Sequence, residues 1–383
     1  MTNSKFNNVK ISGINIVLPE NKIPIDDEVH FYKNDIKLLE RNKKILGLGD
    51  RYVVKDGTTC VDLCEQAAKN LIEDLNVDIK EIDALICVST SHDYIAPASA
   101  CVLHGRLGLE ETCACFDTSG LSCSGYVYGL WLAHSLIASG AARTCLLLAG
   151  DTNSLHSDTK NRISNMLYSD SGSATLLEYT EAENTAYFNL GTRGSAWDKI
   201  IIPSSGYRLP IRKDVANIEV TDANGNVWHL YDEILKGMDI FRFTMENAPQ
   251  SVKDILAYSN ISIDNIDKVL MHQANGQILK TIAQHSGIPK EKISTETFTK
   301  YANCGAASVV SAVCDQLHNQ QVKAVMLVTF GVGLSWASAI VNLENCLISD
   351  VKFMKNQKTL SREEQIDCWI KYFKGETQNE QQQ

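Results

Sequence analysis

The sequence predicts an α/β protein assembled from two duplicated halves. The segment Ile82-Asp83-Ala84-Leu85-Ile86 in the first half is echoed by Ile266-Asp267-Lys268-Val269-Leu270 in the second. Each segment contains the apolar run of a short buried strand. We therefore expect the same supersecondary unit to occur twice in this chain of 383 residues.

The spacing between equivalent residues supports the duplication. Cys123 and Cys145 are separated by 22 positions (145 − 123), and so are Asn303 and Val325 (325 − 303). Cys145 and Val325 both lie in apolar runs that read as strands, so each half is predicted to run strand, sharp turn, buried helix, strand. Two such βαβ units packed about a pseudo-two-fold axis would bring Cys123 and Asn303 together.

The other elements follow from periodicity and turn residues. They are, in chain order, strands over 8–18 and 84–89, a helix over 60–75, a strand over 113–117, a helix over 126–139, a strand over 145–150, irregular structure over 176–236, a helix over 238–257, strands over 268–271 and 325–329, a strand or short helices over 346–373, and a polar, disordered tail from Lys374. This organisation predicts an N-terminal half with the nucleophile (1–175), a linking and covering segment (176–236), a C-terminal half (237–345) and a C-terminal extension (346–383).

Composition excludes several functional classes. The net charge of −10 argues against binding to nucleic acid or to an anionic membrane. The first residues lack the apolar core of a signal peptide, and no apolar run approaches the roughly 20 residues of a membrane span. Twelve cysteines without zinc-like spacing indicate reduced thiols and a cytoplasmic protein.

Cys123 is the strongest candidate for a nucleophile. It lies in Ser119-Gly120-Leu121-Ser122-Cys123-Ser124-Gly125, between a predicted strand and a long apolar helix. A thiol in the first turn of a helix faces the positive end of the helix dipole, which favours the thiolate. A structural cysteine in the core is the alternative, and position alone does not decide between the two.

Two polar residues of the second half occur in similarly apolar settings. His272 follows the strand Lys268-Val269-Leu270-Met271, and Asn303 opens a helix of small and branched residues. Alone, His272 would be read as a core histidine and Asn303 as a helix N-cap. Together with Cys123 they supply a nucleophile, a base and an amide donor, which is a recurrent set for acyl transfer.

These segments resemble those of 3-oxoacyl-acyl-carrier-protein synthase III, a family of the thiolase superfamily. The resemblance rests on the stretch around Cys123, on His272-Gln273-Ala274-Asn275, on Asn303–Ser308 and on Phe330–Trp336, in the same order and spacing, and it extends from about Val9 to Leu343. It implies a thiolase-like five-layer α-β-α-β-α fold, a homodimer, and decarboxylative Claisen condensation of an acyl group with malonyl-acyl carrier protein. The acyl donor would be acyl-coenzyme A or acyl carrier protein, with no metal or redox cofactor.

The chemistry of this family assigns a role to each residue type. Cys123 would store the acyl group as a thioester, and the backbone N–H groups of Cys123 and Val332 would bind the tetrahedral oxyanion. His272, protonated or neutral, and Asn303 would stabilise the malonyl enolate. Phe330 belongs to the same set of substrate-binding candidates.

Departures from the family pattern concern substrate contacts. Arg41 replaces an aromatic residue that stacks on adenine, although its run Glu40–Lys44 could equally be a solvated surface cluster. By the same resemblance, Arg162 corresponds to an arginine near the nucleotide, and Gln277 replaces a basic residue that docks carrier protein. Ala96 replaces an aromatic that closes the acyl pocket, which predicts an acyl group larger than acetyl. These changes, with Val332 in a turn that is commonly all glycine, favour a specialised pathway.

Two other functions remain open. An acyltransferase of the same fold would pass the acyl group from Cys123 to a hydroxyl or amine without forming a carbon–carbon bond. Such a transfer has less need of Asn303 as an enolate donor. A non-catalytic subunit of a heteromeric synthase would need none of the three residues.

Overall fold

The computed structural model describes residues 2–55, 57–156, 161–222, 225–356 and 360–376. Its strands are β1 Thr2–Phe6, β2 Val9–Pro19, β3 Lys22–Ile23, β4 Arg51–Tyr52, β5 Ala84–Ser89, β6 Ala114–Ser119, β7 Thr144–Asp151, β8 Ser171–Tyr179, β9 Ala186–Thr192, β10 Ile200–Ile201, β11 Glu219–Thr221, β12 Val227–His229, β13 Ile234–Leu235, β14 Lys268–Met271, β15 Ala324–Gly331, β16 Ser335–Asn342, β17 Leu347–Ile348 and β18 Lys352–Met354. Its α-helices are α1 Ile36–Leu46, α2 Cys60–Leu75, α3 Ser99–Leu107, α4 Gly125–Ala138, α5 Arg162–Asn165, α6 Lys213–Ala216, α7 Gly237–Ser259, α8 Gly276–Ser286, α9 Glu296–Tyr301, α10 Ser308–Leu317 and α11 Arg362–Lys374.

Two mixed sheets repeat the same topology. In the first sheet the strand order is β2-β8-β7-β5-β6, and in the second it is β9-β16-β15-β14, with β1 added beside β9. The pairs β5/β7 and β14/β15 are parallel, whereas β7/β8, β2/β8, β15/β16 and β16/β9 are antiparallel. The predicted duplication is therefore present in the order and direction of the strands.

The repeated Ile-Asp pair has a structural reason. The Asp83 carboxylate accepts hydrogen bonds from the backbone N–H groups of Arg143 and Thr144, at 2.7 and 3.0 Å. The Asp267 carboxylate accepts them in the same way from Lys323 and Ala324, at 2.7 and 2.9 Å. In each half this aspartate ties the start of one strand to the start of its parallel neighbour.

The sheets and helices form five layers, as the family resemblance implies. Helices α4 and α10 contact strands of both halves and lie between the two sheets. Helices α2 and α3 cover the outer face of the first sheet, and α7 and α8 cover the outer face of the second. The largest cluster of buried aliphatic side chains fills the space between the two sheets and surrounds α4 and α10. Two separate clusters lie on the outer face of the first sheet and on the outer face of the second.

The prediction of irregular structure over 176–236 is wrong for its first part. Strand β8 extends to Tyr179, and β9 lies between β1 and β16 in the second sheet. The second structural half therefore begins with β9, before α7. Strand β9 is buried on both faces over Phe188–Leu190, and Asn189, which accepts a hydrogen bond from Ser251 at 2.8 Å, breaks the continuous apolar run that is typical of such a strand.

The C-terminal extension continues the first sheet. Strands β17 and β18 pair in parallel with β2, and α11 follows with a capping box at Ser361 and Glu364. The predicted polar tail begins at the last residue of this helix, because α11 continues to Lys374 and is capped by Gly375. The last residues of the tail, 377–383, lie outside the described part of the chain.

Candidate active site

A strained turn places Cys123 at the start of the central helix α4. Ser122 has φ = +38°, in the left-handed region that residues with a side chain rarely adopt, and its hydroxyl lies 3.4 Å from the Asp151 carboxylate. A single 3₁₀ turn, Ser122–Ser124, leads from there into α4. Cys123 is 7 % exposed and lines a cavity between the two halves. The turn thus directs the sulfur of Cys123 towards this cavity.

The Phe330–Val332 turn of the second half lies directly against Cys123. A Cβ atom on Gly331 would lie 3.0 Å from the Cβ of Cys123, so only glycine allows this approach without movement of a neighbour. The hydroxyls of Ser124 and Ser335 are 2.5 Å apart, and Ser335 donates to the carbonyl of Val332 at 2.5 Å. These contacts hold the turn on the first residues of α4.

His272 enters the same cavity from the end of β14. Its backbone N–H donates to the carbonyl of Val328 at 2.8 Å, and its ring meets Phe330 edge to face with 5.1 Å between ring centroids. Nδ1 is buried and has no hydrogen-bond partner among the described residues. Burial lowers the pKa of His272 to about 3, because the charged ring would lose its hydration. Of the two protonation states expected from the sequence, the neutral one is therefore favoured.

Asn303 is fixed by its backbone and by its side chain. Its carbonyl accepts a hydrogen bond from the N–H of Ser169 at 3.0 Å, and its own N–H donates to Leu167 at 3.1 Å. The Oδ1 atom accepts from the N–H of Gly305 at 3.0 Å, which leaves the Nδ2 amino group for the cavity. Asn303 and Cys123, one from each half, line the same cavity. They are not equivalent positions of the duplication, because Cys123 lies within the 3₁₀ turn before α4 and Asn303 lies two residues before the corresponding turn Gly305–Ala307.

The thiol form of Cys123 is favoured in this cavity, contrary to the expectation from its helix terminus. Burial raises the pKa of Cys123 to about 12, and hydrogen bonds from Ser122 and Asn303 offset only part of this effect. Burial therefore outweighs hydrogen bonding at this sulfur.

Asp151 is a site residue that the sequence analysis does not single out. Its fully buried carboxylate accepts from the backbone N–H of Thr90 and of Ala306, both at 2.7 Å, and from Ser122. It therefore ties the nucleophile turn to the beginning of the second central helix. A charged residue directly after the apolar run Cys145–Gly150 is the sequence feature that indicates it.

Two cavities meet beside Cys123. The first is lined by Cys123, His272 and Asn303 together with apolar side chains that include Met238, Phe241 and Ile278. The second is lined by residues around Thr90, His92 and Gly120. Tyr168, Ile200, Glu233 and Val332 line both cavities. Tyr168 and Glu233 were not indicated by any motif, because they lie outside the segments that carry the resemblance.

The predicted substrate contacts divide into two groups. Phe330, Gln277 and Val332 line the first cavity. Arg41 is exposed on α1, and Ala96 is exposed on the loop before α3; neither lines the two cavities beside Cys123. Arg162 lies over the ring of Tyr32, with 5.4 Å from its guanidinium carbon to the ring centroid. The structure therefore brings the catalytic candidates together but leaves Arg41, Arg162 and Ala96 away from them.

The described residues lack metal-binding groups, membrane-spanning helices and disulfides. They contain no group of three or more His, Cys, Asp or Glu side chains that could hold a metal ion. No helix in the described ranges is long and apolar enough to cross a membrane. All twelve cysteines are unpaired.

Five layers in two duplicated halves, with a cysteine at the start of one central helix, are the features of a thiolase-like protein. Comparison with known proteins narrows this class. Residues 116–194 match the family model of 3-oxoacyl-[acyl-carrier-protein (ACP)] synthase III, and residues 256–343 match the C-terminal model of the same family.

Individual relatives agree with the family models over nearly their whole length. A Campylobacter jejuni protein provisionally named 3-oxoacyl-[acyl-carrier-protein] synthase 3 is 37% identical over 356 residues, which are 93% of this chain and 99% of the relative. A beta-ketoacyl-[acyl-carrier-protein] synthase III of Clostridium perfringens is 29% identical over 88% of this chain and 99% of the relative. The crystal structure of a 3-oxoacyl-(acyl-carrier protein) synthase from Burkholderia xenovorans superposes with a TM-score of 0.83 at 29% identity, covering 92% of this chain and 99% of that one. The chain therefore belongs to the 3-oxoacyl-acyl-carrier-protein synthase III family of condensing enzymes.

Proposed function

We propose that this enzyme loads an acyl group on Cys123 and condenses it with malonyl-acyl carrier protein. The observation that carries this assignment is that Cys123, His272 and Asn303, from both halves, line one cavity. Family membership supplies the reaction class, and the geometry supports the roles of the individual residues.

Loading begins at the thiol of Cys123. The sulfur attacks the carbonyl carbon of an acyl thioester, the carbon–sulfur bond to the donor breaks, and the thiol proton passes to the leaving thiolate of coenzyme A or carrier protein. The oxyanion formed in between is stabilised by the backbone N–H groups of Cys123 and Val332. The close approach of Gly331 to Cys123 supports this role, because it keeps the Val332 turn beside the sulfur.

Condensation uses the second half of the protein. Malonyl thioester loses carbon dioxide, and the enolate oxygen accepts hydrogen bonds from neutral His272 and from the amino group of Asn303. The enolate carbon then attacks the acyl carbonyl on Cys123, which releases the 3-oxoacyl product and returns the sulfur as thiolate. A neutral ring suits this step, since burial keeps the pKa of His272 at about 3.

Family membership supports our proposal for the partners and the setting of this enzyme. The enzyme uses acyl carrier protein and acyl thioesters, needs no metal or redox cofactor, and acts as a homodimer in the cytoplasm. Gln277 lines the cavity and Ala96 does not, so the acyl preference depends on other residues of this chain or on a second copy. We infer a specialised biosynthetic pathway from Gln277 and Val332, the two departures from the family pattern that line the cavity.

Intact-protein mass spectrometry after incubation with a panel of acyl-coenzyme A donors tests the nucleophile. The wild type should gain one acyl mass, and Cys123→Ala should gain none. Cys101→Ala, which removes an exposed cysteine, should be acylated like the wild type. An acyl group on a cysteine other than Cys123 would overturn the assignment.

Simple acyl transfer to a hydroxyl or amine is the second candidate, and a non-catalytic subunit is the third. The orientation of Asn303 favours condensation, because its amino group is free for an enolate that simple transfer never forms. Carbon dioxide release from malonyl-acyl carrier protein distinguishes the candidates.

A further inference from the structure

Tyr168 and Glu233 form a hydrogen-bonded pair where the two cavities meet. The Tyr168 hydroxyl donates to Oε2 of Glu233 at 2.6 Å, and both residues line both cavities. Tyr168 is held in place by its chain neighbours, because Leu167 and Ser169 bond to the backbone of Asn303. The pair is therefore a fixed part of the wall next to the catalytic residues.

The carboxylate of Glu233 has capacity for a further hydrogen bond. In the described ranges Tyr168 is its one hydrogen-bond partner, and no cation is paired with it. The nearby Arg51 is already engaged, since it bonds to the buried Glu28 and to the carbonyl of Tyr168. A carboxylate has about four acceptor positions, so Glu233 can accept from a ligand in the cavity.

The environment also makes this acceptor strong. Burial raises the pKa of Glu233 to about 7, and the charge of Asp151 acts in the same direction. A ligand that donates a hydrogen bond to the carboxylate would compensate for its lost hydration.

A second acceptor lies on the wall of the second cavity. Nδ1 of His92 is 3.1 Å from the hydroxyl of Ser99 and 3.4 Å from the carboxylate of Asp117. Because Asp117 can only accept, Nδ1 carries the proton in the neutral ring and Nε2 is an acceptor. Nε2 is buried, without a partner among the described residues.

We propose that the acyl group loaded on Cys123 carries a hydrogen-bond donor, a hydroxyl or an amino group, which the Glu233 carboxylate recognises. The proposal rests on the proposed function and narrows its substrate class. A plain alkyl chain would leave the remaining acceptor positions of Glu233 without a partner in a closed site, and an acyl group ending in a carboxylate would be repelled by Glu233 and Asp151.

Competition between matched acyl-coenzyme A donors tests this specificity. Equimolar butyryl-, 3-hydroxybutyryl- and 3-aminobutyryl-coenzyme A are mixed with the enzyme, and the acyl mass on Cys123 is measured at early times. The wild type should take one of the two polar groups at least about tenfold more often than butyryl, since a site built for a hydrogen bond discriminates strongly against an analogue that lacks it. The polar donor that is preferred shows whether the recognised group is a hydroxyl or an amine.

Two variants connect the preference to the pair. Glu233→Leu should shift the preference to butyryl, and Tyr168→Phe, which keeps the ring but frees the carboxylate, should change the ratio of polar to alkyl product by a smaller factor. The control is Glu246→Gln, an exposed glutamate that binds Arg193 outside both cavities and should keep the wild-type ratio.

The outcomes distinguish a failure of the acyl specificity from a failure of the proposed function. Loading of Cys123 by butyryl as fast as by both polar donors overturns the acyl specificity but leaves the proposed function intact. A polar preference that survives unchanged in both Glu233→Leu and Tyr168→Phe also overturns it. Absence of any acyl group on Cys123 in the wild type contradicts the proposed function itself, and the specificity with it.

Discussion

The starts of the two central helices are built alike but are filled differently. In the first half Ser122, with φ = +38°, is the first residue of the 3₁₀ turn that leads into α4; in the second half Gly305, with φ = +55°, is the first residue of the 3₁₀ turn that leads into α10. Each start is packed against the end of the equivalent strand of the other half. Asp151, at the end of β7, contacts the second start, and Gly331, at the end of β15, contacts the first.

Asp151 and Gly331 give the two starts different surroundings. A Cβ on Gly305 would lie 2.5 Å from Oδ2 of Asp151, so the carboxylate fills the space at the second start. At the first start the equivalent strand ends in Gly331, which lets the backbone of the turn approach Cys123 closely. We call the second start, which is held by the buried carboxylate, the closed start, and the first, where Cys123 lines the cavity, the open start.

The closed start should matter most for stability. Asp151→Ala would leave the buried N–H groups of Thr90 and Ala306 without their acceptor, and each unpaired donor costs about 1–3 kcal/mol. We expect a decrease of about 3 kcal/mol in the free energy of unfolding, measured by denaturant titration. Asp267→Ala, which removes an exposed carboxylate with two similar acceptor roles, should cost less. Equal losses in the two variants would contradict the structural role of Asp151.

The second half should control decarboxylation. His272→Ala removes one enolate donor, and loss of a preorganised donor costs on the order of 100-fold in rate. Carbon dioxide release from malonyl-acyl carrier protein should fall by this factor while acylation of Cys123 continues. A variant that decarboxylates normally would remove His272 from the mechanism.

The open start should be sensitive to a single methyl group. Gly331→Ala places a Cβ 3.0 Å from the Cβ of Cys123, so the turn must shift by a few tenths of an ångström. Since small misplacements of catalytic groups are costly, acylation should slow by about tenfold. Gly194→Ala, where a Cβ would meet no atom within 4 Å, serves as the control. An unchanged acylation rate in Gly331→Ala would show that the turn takes no part in loading.

His272 should also make the stability of the protein depend on pH. The pKa of His272 is about 3 in the folded protein, against 6.5 for the free side chain, so below pH 6.5 the unfolded chain binds a proton that the folded chain does not. Stability present above pH 6.5 is therefore lost as the pH falls towards 3, at up to about 1.4 kcal/mol per pH unit for this one group. Unfolding of His272→Gln should depend less steeply on pH between 6 and 4 than that of the wild type. Parallel pH profiles would mean that the ring is hydrated in the folded protein.

Local sequence patterns were sufficient to predict much of this organisation. The helix over 60–75 and the strand over 84–89 occur with the predicted bounds. The 22-residue spacing, in contrast, does not mark equivalent positions: Cys123 lies within the 3₁₀ turn Ser122–Ser124, whereas Asn303 lies two residues before the corresponding turn Gly305–Ala307. The resemblance correctly implied five layers. Patterns of this kind are readable because the central elements are continuously apolar.

The parts that could not be predicted depend on contacts between distant residues. Strand β9 was missed because Asn189 bonds to Ser251 on a helix 62 positions away. The Cys123 pKa was expected to fall, but burial by surrounding elements, which no local pattern reports, raises it to about 12. Glu233 and Tyr168 meet across 65 positions, so neither indicates a site until the fold brings them together.

A single-turnover comparison of the wild type and Asn303→Ala tests the division of labour between the two starts most directly. Acyl mass on Cys123 and carbon dioxide from labelled malonyl-acyl carrier protein are measured in the same reaction. We predict that Asn303→Ala acquires the acyl group at nearly the wild-type rate but releases carbon dioxide on the order of 100-fold more slowly. Normal carbon dioxide release, or an equal loss of both steps, would contradict the account.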